Sequence, residues 1–109
     1  MNTLVSETYL VQAQDVKVTD DTLMVELVDG RGISVPLAWF PRLVYGSVEE
    51  RNNWRLIGRG QGIHWPELDE DIKVEHLLLG RGSMESQKSL GKWLEARSAQ
   101  AKQDNAISM

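Results

Sequence analysis

Between Arg42 and Asp71 the chain collects the side chains best suited to chemistry. His64, Glu67, Asp69 and Asp71 put one imidazole and three carboxylates into a single short stretch, the donor types of a divalent-cation site. The stretch lacks the central glycine and terminal bidentate glutamate of a calcium loop, and one imidazole without any cysteine is a poor zinc set. We therefore expect no metal and no cofactor. The reading is an acidic turn of Glu67, Asp69, Glu70 and Asp71 that caps the helix after it, with carboxylates at the positive end of the helix dipole. Just upstream, Gly58-Arg59-Gly60-Gln61-Gly62 has glycines that let a backbone approach phosphate and an arginine that could pair with an anion. A dinucleotide fingerprint needs G-x-G-x-x-G opening a long helix, and neither condition holds, so this is read as a hairpin loop.

Acid–base catalysis would make His64 the base, oriented by Glu67 or Asp69, with Arg42 or Arg59 holding an anionic substrate. No serine or threonine stands in a nucleophile motif, so no catalytic residue is assigned and a non-enzyme is expected. Two binding uses remain. Trp39, Arg42, Arg59, His64 and Trp65 could form a partner surface of the tryptophan–arginine type. Alternatively, Arg42, Arg59 and His64 alone could sense an anion or small molecule. Trp54 is assigned to the core, whereas Trp39 and Trp65 are divided between core and surface.

These residues need a frame. Val16 and Val18 alternate with Lys17 and Thr19, then Leu23, Val25 and Leu27 with Met24 and Glu26, the two-residue period of half-buried strands. Asp29-Gly30 marks a hairpin, and Ile33, Val35 and Leu37 return on one face, with Pro36 at a strand end or edge. This predicts an antiparallel three-stranded meander. Pro41 opens a short helix that Gly46 stops, and Ser47 with Glu50 forms a capping box for a second. Trp54 to Ile57 and Ile63 to Trp65 read as short strands, residues 68–72 as a tight turn, and Val74, Leu77 and Leu78 as a helix ended by Gly80 and Gly82. Leu90, Trp93, Leu94, Arg97 and Ala101 share one stripe at helical spacing, predicting an amphipathic helix over residues 84–103 and a disordered tail beyond. The expected division is a lead-in over 1–12, an α+β domain over 13–82, and helix plus tail over 83–109.

With 109 residues the chain fits one domain with a modest core. Its net charge of −4 argues against an extensive nucleic-acid footprint, so direct nucleic-acid binding is not expected. There is no cysteine, no apolar run near bilayer length, and no basic segment before the acidic Glu7; together these point to a cytoplasmic protein without a membrane span or secretory leader. The segment after Gly82 carries four bases against three acids, a charge of +1, so it can dock on the acidic domain or on a second copy. A homodimer through that helix is expected.

The meander ending D-G-R-G-I-S-V-P-L, then W-F-P-R-L, E-R-N-N-W, G-R-G-Q-G-I-H-W-P-E-L-D-E-D-I-K-V and E-H-L-L-L-G, resembles the bacterial family catalogued as domain of unknown function 2442. The resemblance covers about residues 15–82. It implies a small cytoplasmic α+β protein and no assigned activity. It also gives Trp39, Pro41, Arg42, Arg51, Trp54, His64, Trp65 and Asp69 to Asp71 as residues that form or brace the surface. Some relatives resemble proteins with a following helix-turn-helix, others neighbours of small toxin–antitoxin-like partners; here residues 83–109 have room for one helix. The function this implies is a protein-interaction or regulatory module, antitoxin-like, for the product of a neighbouring gene.

Overall fold

The computed structural model describes residues 11–107. Its arrangement is α+β, with two three-stranded antiparallel sheets, three short helices and one long C-terminal helix. The first sheet is the expected meander: β1 (Ala13–Val18), β2 (Thr22–Leu27) and β3 (Gly32–Pro36), with β2 central. Its alternation puts Val16, Leu23, Val25, Leu27 and Val35 on the buried face. β1 starts earlier than the sequence pattern suggests. The register slips by one residue between Ala13 and Asp15, and the bulge returns Ala13 to the same buried face as Val16. Gly30 takes φ +95 in the β2–β3 turn, the left-handed conformation that the Asp29-Gly30 signal implies. Pro36 ends edge strand β3, where its missing N–H costs no ladder bond.

Pro41 opens α1 (Pro41–Tyr45), and Ser47 with Glu50 forms a complete reciprocal capping box for α2 (Val48–Asn52). Gly46 does stop α1, but not by a left-handed turn, since its φ is −72. A side chain there would meet Leu68 at 2.8 Å, so glycine lets the α1–α2 corner press onto the core.

A second sheet replaces the single one expected. It joins β4 (Arg55–Ile57), β5 (Gly62–Trp65) and β6 (Glu70–Lys73), with β5 central. The acidic residues read as a tight turn are half strand: the turn spans residues 66–69, and Glu70 begins β6. The strand escaped notice because Ile72 is its one buried apolar residue, and Glu, Asp and Lys are poor strand formers whose pairing here is set by β5. The run also caps nothing. It leads into β6, and the helix that follows, α3 (Val74–Leu78), has no side-chain cap.

One core joins both sheets. It unites Leu23, Val25 and Leu27 with Leu37, Phe40 and Leu43, and with Ile63, Trp65, Leu68, Ile72, Val74 and Leu77. The C-terminal helix α4 (Gln87–Ile107) starts three residues later than expected, where the Ser86 hydroxyl accepts from the Ser89 N–H. Of its stripe, Leu90 is buried, Trp93, Leu94 and Arg97 are half-buried, and residues 98–102 are exposed. The stripe docks within its own chain. Most of the expected lead-in, and the last two residues of the expected tail, lie outside the described residues. No described helix is long and apolar enough to cross a membrane.

Candidate functional site

Arg42 projects from α1 to the place where the turn before β6 meets the segment leading into α4. Its Nε and Nη2 donate to the two carboxylate oxygens of Glu85 at 2.8 and 2.5 Å, and its Nη1 donates to the carbonyl of Asp69 at 2.9 Å. The Asp69 carboxylate lies 3.6 Å away and is largely exposed. Planar guanidinium matched to carboxylate fixes orientation as well as charge. Arg42 and Arg97 also place their guanidinium carbons 5.0 and 4.7 Å from the ring centre of Trp93. Arg97 in turn donates to Glu50 at 2.9 and 3.2 Å.

Arg42 lines a groove of about 630 Å³ bordered by β6, α3 and residues 81–89. Its wall is of mixed charge, with Asp69, Glu70, Asp71 and Glu85 against Lys73, His76 and Arg81. Glu70 is the unusual member. Burial pushes its carboxyl up to about 7, against the pull of Arg42 and with reinforcement from Glu85 and Asp71. Its Oε2 is enclosed with no hydrogen-bond partner among the described residues. Glu85 goes the other way: its pairing with Arg42 holds its carboxyl below the usual range.

The residues singled out from the sequence do not converge. Arg42 lines the groove, whereas Arg59, on the turn between β4 and β5, and His64, on β5, are not part of that lining. Cross-strand register places His64 between Arg55 and Asp71, and its Nδ1 contacts the Asp71 carboxylate. Glu67 accepts from the Asn53 side chain at 2.7 Å. Of the His64, Glu67, Asp69 and Asp71 set, His64 and Asp71 pair with each other, whereas Glu67 meets Asn53 and Asp69 meets Arg42. Among the described residues no three histidines or carboxylates group as a metal would require.

Trp65 is not a surface residue. It is fully enclosed, and its indole N–H donates to the Arg51 carbonyl at 2.9 Å. Trp39 is 36% exposed, and Gly82 packs against its Cβ and carbonyl. Arg59, exposed at the glycine-rich loop, adopts φ 59 and ψ 36, and its carbonyl accepts from Gln12 Nε2 at 2.9 Å. In that loop Gly60 approaches the start of β1, not a phosphate: a Cβ would sit 2.6 Å from the Ala13 carbonyl oxygen.

Two roles went unread in the residues themselves, although the family resemblance names Arg51 among those that form or brace the surface. Arg51 donates to the carbonyls of Leu43 and Val44, both at 2.8 Å, closing the C-terminal end of α1. Glu85 had counted only as one charge of the terminal segment. No local signal marks its role, because its partner Arg42 stands 43 residues earlier in the chain.

The region matching the family described as "Protein of unknown function (DUF2442)" is residues 13–83, most of the chain. The chain belongs to the DUF2442 family. No curated protein sequence matches this DUF2442 chain. Among solved structures, it is similar in fold to a protein of unknown function from Rhodospirillum rubrum, at 22% identity, covering 71% of this chain and 95% of that one, with a TM-score of 0.61. An uncharacterised protein from Chromobacterium violaceum is similar at 16% identity, covering 82% of each chain, also with a TM-score of 0.61. These likenesses show the fold alone, and no enzyme family is indicated.

Proposed function

We propose that this DUF2442 protein is a non-enzymatic binding module for another protein, with the α1–α2 corner as its contact surface. The carrying observation is that Val44, Tyr45 and Val48 stand 42, 56 and 60% exposed within five residues of chain. The corner is held rigidly under them. Leu43 is wholly buried, Gly46 is pressed on Leu68, and Arg51 ties down the carbonyls of Leu43 and Val44. Large apolar side chains on a fixed backbone bind at little backbone ordering cost, and tyrosine is favoured at interface centres. The charged residues offer less. Arg42, Arg51, Arg97 and His64 each already face a carboxylate of the chain.

A neighbouring-gene product, as for an antitoxin-like regulatory half, is the partner we favour. Co-expression with each adjacent open reading frame, followed by size-exclusion chromatography with light scattering, tests this. The expected result is one stoichiometric complex that Tyr45→Arg with Val48→Glu abolishes while the melting temperature holds. A complex indifferent to that double variant removes the surface from consideration. A mass of two identical chains with no partner would favour the homodimer instead.

A further inference from the structure

The long helix is fastened to the body mainly by charge. Leu90 is the one buried side chain of its described part, and Trp93 and Leu94 are half-buried. Against that light apolar contact stand two doubly hydrogen-bonded pairs, Arg42 with Glu85 and Arg97 with Glu50. The preceding linker is pinned, since the Ser83 N–H donates to the Trp39 carbonyl at 2.9 Å. The movable part therefore begins after Ser83, at Met84, which is 94% exposed.

Glu70, on β6, borders the same groove as Arg42 and Glu85, and its Oε2 is enclosed without a partner among the described residues. The Asp69 carboxylate, 3.6 Å from Arg42, is largely exposed, so Glu70 and Glu85 are the enclosed carboxylates that share this groove with the guanidinium, and Glu85 belongs to the movable arm. We propose that α4 is a pH-governed latch: the Glu85 clamp on Arg42 holds while Glu70 is neutral, and loosens when Glu70 becomes charged and takes Arg42 over.

The sign follows from what release does to Glu70. Departure of Glu85 removes a like charge and part of the cover over the groove, and leaves Arg42 to Glu70. The released state therefore binds the Glu70 proton less tightly than the docked state, and rising pH favours release. The window lies between the ordinary glutamate value of 4.5 and about 7, where the Glu70 carboxyl titrates when docked. Full relaxation would raise the ratio of released to docked molecules roughly 10²-fold by pH 8. Glu85 closes the window from below, because its lowered carboxyl keeps the clamp charged until the pH falls under its ordinary range. Asp69, Asp71, Lys73, His76 and Arg81 also face this groove. Added salt screens the clamp and acts in the same direction as rising pH.

The test is the Trp93 indole N–H signal in nitrogen-15 NMR of the full chain, identified with Trp93→Phe and followed from pH 5.5 to 8.5. Amide-exchange protection of residues 88–97, corrected for intrinsic rate, is measured in parallel. The expected result is a Trp93 shift with a midpoint near 7 and at least a tenfold loss of protection. Both should vanish in Glu70→Gln and persist in His76→Gln. Glu85→Gln gives a second route, because with the clamp weakened Trp93 should report the released state at every pH. A Trp93 signal that stays still over this range, a titration that survives Glu70→Gln, or one that disappears with His76→Gln would each overturn the latch.

Discussion

Trp65 donates its indole N–H to the backbone carbonyl of Arg51 at 2.9 Å, and the Arg51 guanidinium donates to the carbonyls of Leu43 and Val44. A core side chain and the end of α1 are thereby linked through one residue of α2. Trp65→Phe keeps most of the apolar fill but leaves the Arg51 carbonyl without its donor, at a cost of about 1–3 kcal/mol. Trp65→Ala should cost about 3–5 kcal/mol, close to the whole stability of a small domain. Urea denaturation measures both. A Trp65→Phe variant as stable as the parent would mean that the hydrogen bond contributes little.

Two glycines with positive φ should behave differently. Gly30 has φ +95 with open space around it, so Gly30→Ala pays the left-handed penalty alone, about 1 kcal/mol. Gly60, at φ +85, would also drive its new methyl to 2.6 Å from the Ala13 carbonyl oxygen. Gly60→Ala should therefore cost about 2–4 kcal/mol. Thermal melts of the two variants side by side check the ordering.

Glu70 gives a pH-dependent prediction for the whole fold. A carboxyl raised from 4.5 to about 7 favours the folded state at low pH, and that advantage is lost as the pH climbs through this interval. Glu70→Gln should leave the melting temperature at pH 4 unchanged. At pH 8 it should raise it by about 4–8 °C, for a gain near 1 kcal/mol after allowing for solvent screening of a partly exposed group. Calorimetry at both pH values decides it, and equal melting temperatures at pH 8 would remove the burial argument.

Glu50 serves two partners, accepting from the Ser47 N–H at 2.9 Å and from Arg97 at 2.9 and 3.2 Å. Glu50→Gln preserves an acceptor for the capping box but loses the charge that Arg97 meets, for a cost of about 0.5 kcal/mol. Ser47→Ala breaks the cap itself and should cost about 1 kcal/mol. In an Arg97→Gln background the Glu50→Gln effect should disappear, and a double-mutant cycle by denaturation measures that coupling.

The meander, the α1 proline, the capping box and the α4 stripe were legible because each rests on short-range rules: alternation, turn chemistry and helical spacing. β6 was not, since nothing in Glu70-Asp71-Ile72-Lys73 favours a strand until β5 lies beside it. Trp65 had its position on β5 written in the sequence but not which face of that strand turns inward. The groove was the least legible. Arg42, Glu70 and Glu85 stand far apart in the chain, and whether an arginine meets an external anion or a carboxylate of its own protein depends on tertiary placement.

The C-terminal helix has 21 residues, and among those whose burial is described the buried and half-buried ones lie between Leu90 and Arg97. At 1.5 Å per residue it is about 31 Å long. It acts mechanically as a lever with its fulcrum beside Arg42: a tilt of about 20° at the docked end would sweep the far end through about 11 Å, by the same rise per residue. A change of partner at one guanidinium is thus magnified into a displacement as large as a helix is wide.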